Sequence, residues 1–249
     1  MTKIREAKRI ARAQDRMARA GFRAIRREML RAINAAADQY EARGQFELPD
    51  DFHKHMAEVL NDLQSKTAMQ SVIDTQRQID AQKKFDWSAL ALRLFEEFSL
   101  AFVAQKVTRI GETTRKRVKR IIDQGAAEAA TTPEIAKRIK ASSQVFTRYD
   151  AARIARTEVH GMYGYAAMQT ASLYADESIF VNEWISVEDD RTRTEPEGGH
   201  RRANGQIREF GQTFYVGGEQ LRFPGDPNGR ADNTINCRCA VVQTRRDEL

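Results

Sequence analysis

Cysteine is almost missing: the 249 residues contain two, Cys237 and Cys239, with one residue between them. That number and spacing exclude a disulfide scaffold, because closing so tight a ring is strained. Reduced thiols instead fit a reducing compartment. Long apolar runs are missing too. No stretch approaches the roughly 20 residues that cross a membrane, although an apolar share of 41% is enough for a core. The N-terminus has no apolar signal segment, since its basic residues alternate with Ala and Ile. Repeats and low-complexity tracts are absent. A protein made and used in a cytoplasm, with no membrane partner, is the expectation.

Charge is present but unevenly spread. The net value is +6, yet residues 1–31 carry eleven Lys/Arg against Glu6, Asp15 and Glu28, a local excess of +8. The rest of the chain is therefore at −2. Arg5, Lys8, Arg9, Arg12, Arg16, Arg19, Arg23, Arg26 and Arg27 are the candidate contacts to a polyanion such as double-stranded DNA, or to an acidic protein surface. A second basic cluster lies between Lys106 and Arg120. The plainer reading is two solvated helix faces. Few aromatics interleave the basic residues, so base-specific contact is not expected.

Helical periodicity dominates the first two thirds. Residues 2–43 predict one long helix, without proline and with only Gly21 before a stop at Gly44. Phe22, Ile25, Met29 and Ile33 form its packing seam. Upstream of Gly21 the stripe thins, which suggests an exposed arm. A second helix is predicted from about Asp51 to Lys83, with a polar, Gln-rich latter half. A third runs from Asp86 to about Gly125 on a stripe of Leu90, Leu94, Phe95, Phe98, Ala101 and Phe102. Thr131-Thr132-Pro133-Glu134 is a helix-start signal. It opens a short helix to about Lys140, followed by a separate one from Thr147 to Tyr174.

From Ile179 the period becomes alternating. Phe180 to Ile185 suits a strand, and Gly217-Gly218 between Thr213-Val216 and Glu219-Phe223 marks a hairpin. Cys239 to Val242 reads as a last strand. The fold class expected is α+β: a helical region over 1–140, and a small domain over 141–249 with a helix and an antiparallel sheet.

The C-terminal third resembles the Mu F-like head morphogenesis proteins of tailed bacteriophages, also called minor capsid proteins. The resemblance is carried by Ala155-Arg156-Thr157-Glu158-Val159, Trp184, Asp189-Asp190-Arg191-Thr192-Arg193 and His200. It continues through Gly205, Phe214, Pro224-Gly225-Asp226-Pro227 and Asn236-Cys237-Arg238-Cys239. Where members often carry His-Pro or a similar pair before the last motif, Asn233-Thr234-Ile235 stands here. The resemblance implies a virion protein inside the head, present in the host cytoplasm during assembly. Its implied partners are the portal protein and capsid or scaffold proteins, and its implied role lies in procapsid assembly and DNA packaging or delivery. No catalytic activity and no cofactor are expected from it.

Three roles are open to the motif residues. In the preferred one, Arg156, Glu158, Trp184, Asp189, Asp190, Arg191, Arg193, His200, Asn236, Cys237, Arg238 and Cys239 form a structural knot. Arg156 would then pair with Asp189 or Asp190, and Glu158 with Arg191 or Arg193. A zinc site is the second: His200, Cys237 and Cys239 supply three ligands, with Asp190 or water as the fourth. In the third, His200 acts as general base beside Arg191 or Arg193 in a metal-independent nuclease; for the whole chain, the rival binding reading is a host nucleic-acid-binding protein unconnected with virions.

Overall fold

The computed structural model describes residues 3–79, 86–195 and 199–249. Four long helices come first: α1 (Lys3–Arg43), α2 (Phe52–Gln78), α3 (Trp87–Ala127) and α4 (Thr132–Tyr174). They lead into β1 (Phe180–Ile185), α5 (Gly199–Ala203), β2 (Ile207–Arg208), β3 (Phe214–Val216), β4 (Glu219–Leu221), α6 (Ala231–Thr234) and β5 (Ala240–Arg245). The α+β architecture is the one expected. No described helix is long and apolar enough to cross a membrane.

Local signals set the helix ends. Gly44, at φ +69°, takes the left-handed stop and donates its N–H to Tyr40 O. Asp86 Oδ1 caps α3 by accepting from the N–H groups of Ser88 and Ala89. Thr131 and Glu134 close a capping contact at the start of α4.

Two expected helices prove to be one. Residues 140–147 continue α4 without a break, because Ser143 Oγ donates to Lys140 O and Thr147 Oγ1 to Ser143 O. Their hydroxyls bond back into the helix instead of capping a new one. The second helix ends at Gln78 with Ile79 in a turn, and residues 80–83 of its expected range lie outside the described residues. The α3 stripe is narrower than predicted, with Ala101 exposed and Phe95 and Phe102 half-buried.

The chain forms two compact units. One contains Met1–Ala18, Leu63–Phe98 and Arg156–Leu249; the other contains Arg19–Asp62 and Ser99–Ala155. The second unit is helical. Its interior holds Ile25, Met29, Ile33, Met56, Leu60, Val107, Val118 and Ile139. Arg31 pairs with Glu28 and Asp51, and Arg117 and Arg153 share Asp150.

The first unit is built on a three-stranded antiparallel sheet of order β2-β1-β5, beside the β3-β4 hairpin. Residues 180 to 184 of β1 are all buried, so the sheet is covered on both faces. Trp184 and Val241 pack with Phe214, Val216, Leu221 and Phe223 on one side. Ile185, Ala240 and Val242 pack with Ala7, Ile10 and Tyr163 on the other.

The first turns of α1 are therefore part of a core rather than an exposed arm. Their apolar stripe looked thin because small Ala7 and Ala13 share the buried face with Glu6 and Gln14. Lys3 Nζ reaches Glu183 at 2.8 Å, and Arg9 reaches Asp74 at 2.8 Å.

Asp74 also accepts from Tyr163 Oη at 2.8 Å and Gln70 Nε2 at 3.0 Å. Burial, with this carboxylate alongside, pushes the Tyr163 phenol well above its usual value. A hydrogen bond to a charged group is worth about 1.5–3 kcal/mol, and Tyr163→Phe should lower stability by that amount in chemical denaturation. Asp74→Ala should cost about 3 kcal/mol, the lower end for a broken buried pair, since Arg9 keeps a third of its side chain in solvent. Unchanged stability in both variants would overturn the assignment.

Candidate functional site: the Cys-Arg-Cys turn and His200

The residues that meet here come from β1, the loop after it, α5, α6 and the segment between α6 and β5. Trp184 sits at the centre, fully buried, with Phe214 at 5.4 Å and the edge of His200 at 5.9 Å between ring centroids. His200 lies on α5, a short helical turn that sequence periodicity did not indicate. Ser186 Oγ donates to the His200 carbonyl and holds this turn against the end of β1.

His200 faces a different partner through each ring nitrogen. Nδ1 is 3.3 Å from Cys239 Sγ and 3.7 Å from Cys237 Sγ. Nε2 is 3.0 Å from Asn233 Oδ1. The Asn233 amide is fixed by its other end, where Nδ2 donates to Val216 O at 2.8 Å and Glu219 Oε1 at 2.7 Å. Its oxygen must then accept, so Nε2 carries the proton and Nδ1 turns a lone pair to the sulfurs. Gly217 makes room for this: at φ +55°, a Cβ there would lie 2.5 Å from Asn233 Oδ1. Hydrogen bonding to Cys239 holds Cys237 well below the usual thiol range, while that same bond and burial push Cys239 up.

Around this centre the loops are tied by arginines. Arg238 binds Asp189 through its two terminal guanidinium nitrogens and holds its carboxyl well below the usual carboxylate range. Arg193 donates to the carbonyls of Asn233 and Ile235. Arg156 Nη1 donates to Asn236 Oδ1 at 2.8 Å, and Asn236 N donates to Thr157 Oγ1 at 3.2 Å. Asn236 has φ +58°, a left-handed position that Asn tolerates.

The pairings thus differ from those expected. Arg156 reaches Asn236 rather than Asp189 or Asp190, because Arg238 already occupies Asp189. Glu158 is buried and accepts from Gln64 Nε2 at 2.8 Å. Asp190 is exposed, and Arg191, 80% exposed, approaches Asp189 only to 4.0 Å. Sequence reasoning missed Asn233, Ser186 and Glu219, whose roles depend on contacts across the fold. Asn233 was the detectable one, standing three residues before Asn236-Cys237-Arg238-Cys239.

Among the basic residues of α1, Arg5, Lys8, Arg12 and Arg16 are exposed in the first unit, and Arg19, Arg23 and Arg27 in the second. Within each run they step by three or four and share one helix face. Arg9 is engaged with Glu6 and Asp74, and Arg26 donates to Gln144.

What this geometry defines is an α+β module whose C-terminal turn is tied to α4 by half-buried polar side chains. A family model described as Phage Mu protein F like protein matches residues 112–242, from within α3 to β5, and the chain belongs to that family. A role in phage structure or morphogenesis follows in general terms. No match was found among curated proteins or among solved structures.

The Asp189–Arg238 pair has a pH signature. A depressed carboxyl stabilises the fold above its unfolded pKa of about 4 and loses that contribution as pH falls. Asp189→Asn should therefore melt below wild type at neutral pH, with the gap closing below about pH 4. A gap that is constant with pH would show that the pair contributes nothing through charge.

Proposed function

We propose that this protein is a non-enzymatic minor component of a phage head, associated with the portal inside the capsid and acting in procapsid assembly and DNA packaging or delivery. Family membership supports the head assignment. The observations that carry the polyanion contact are the exposed basic residues on α1, Arg5, Lys8, Arg12 and Arg16 in the first unit and Arg19, Arg23 and Arg27 in the second. Their partner is packaged double-stranded DNA, bound through phosphates without reading bases.

The nuclease reading centred on His200 has less support. His200 is 2% exposed, both ring nitrogens face protein groups, and Arg193 is engaged with main-chain carbonyls. A general base needs reach to a substrate proton.

Mass spectrometry of purified particles should find the protein at a few copies per head, and its absence from particles would end the head assignment. For DNA, the logarithm of the binding constant should fall linearly with the logarithm of salt. Replacing Arg12, Arg16, Arg23 and Arg27 together by Gln should reduce that slope by about 3–4, at about 0.9 per phosphate. Arg9→Gln should lower the melting temperature and leave the slope unchanged. A salt-independent interaction would turn this helix face to protein docking.

A further inference from the structure

We propose that His200 Nδ1, Cys237 Sγ and Cys239 Sγ bind one zinc ion, with water as the fourth ligand. The three ligand atoms lie within 4.8 Å of one another and the residues are 2%, 1% and 3% exposed. Tetrahedral zinc with Zn–N about 2.0–2.1 Å and Zn–S about 2.3 Å requires N···S separations of about 3.5 Å. The observed 3.3 and 3.7 Å bracket that value. Such distances are in the range of hydrogen bonds to sulfur and equally suit two sulfurs and a nitrogen directed at one metal ion.

The surroundings agree on three further counts. A zinc-bound histidine donates its other ring N–H to a fixed acceptor, the part that Asn233 Oδ1 plays opposite Nε2. Charge is the second count. Zinc takes cysteine as the thiolate and histidine as the neutral ring, so two thiolates and a neutral imidazole cancel the charge of the ion. A neutral centre suits a site this buried, where an uncompensated charge is costly. The third is space. A cavity of about 20 Å³ has His200 and Cys239 on its wall, beside Thr192, Asn236 and Arg238. One water needs roughly 10–15 Å³. Asp190 is exposed and stands outside the ligand group.

The test uses the full chain purified without chelator from zinc-supplemented cells. Elemental analysis should find about one zinc per chain. Cys239→Ser should fall below about a tenth of that content while retaining wild-type helical circular dichroism. Should that variant fail to fold, the wild-type chain decides. After the metal is removed, titration with cobalt(II) should produce thiolate-to-metal absorption in the near ultraviolet and tetrahedral ligand-field bands, saturating at about one equivalent. Zinc should then displace the cobalt, as the tighter-binding ion at a thiolate site. A folded wild-type protein that carries no zinc and gives no cobalt spectrum would overturn the proposal. So would a metal content that Cys239→Ser leaves unchanged in a folded chain.

Discussion

Asp74 is 2% exposed and accepts from Arg9, Gln70 and Tyr163, so three helices of the first unit meet on one carboxylate. It belongs to a longer seam on α2. Gln64, Thr67, Ser71, Asp74 and Thr75 are all buried and recur at helical spacing, where a packing helix ordinarily carries apolar residues. Gln64 donates to Glu158, Ser71 Oγ to the Tyr163 carbonyl, and Gln78 accepts from the Gln243 N–H. Buried polar groups are costly when unpaired and specific when paired. The seam therefore fixes the register of α2 against α4 and β5 more tightly than interchangeable Leu and Val contacts would. Residues 3–18 of α1 follow from it, held at Arg9 and closed over the sheet by Ala7 and Ile10.

That seam also explains what the sequence could and could not reveal. Periodicity placed α1, α3, β1 and the β3-β4 hairpin, because apolar spacing and the Gly217-Gly218 turn are local signals. The latter half of α2 read as polar and uncertain, since a hydropathy pattern cannot separate a buried polar face from a solvated one. The same blindness made the start of α1 look like an arm. Ala7 and Ile10 cover the sheet there with Glu6 buried next to them in the chain, and only the opposing strand shows that they are inside. The split expected within α4 had another cause: Ser and Thr favour caps and turns, but Ser143 and Thr147 bond back to their own helix.

At the candidate site the residue types were legible and the partners were not. Trp184, His200, Cys237, Cys239, Arg238 and Asp189 could be named from the chain and do gather. Arg156 could be expected to reach a carboxylate, and it reaches an amide, because the Asp189 side chain is held by the arginine that stands between the two cysteines. Charge counting gives a balanced list without giving its assignment. The assignment follows from the left-handed turn at Asn236, which sends Asn236 toward α4 and Arg238 toward the loop after β1.

Asn233 shows why an amide, and not a carboxylate, stands opposite His200. A carboxylate could accept from Nε2 equally well, but it would set a negative charge beside Glu219 and two thiols in a buried space. It would also be unable to donate to Val216 O, which the amide nitrogen reaches at 2.8 Å. The amide satisfies a donor and two acceptors at once without adding charge. This requires its oxygen to lie against Gly217, where any side chain would collide with it. The hairpin glycine that announced a turn in the sequence therefore has a second consequence. By admitting Asn233 it fixes which histidine nitrogen bears the proton, and so which face of the ring is presented to Cys237 and Cys239.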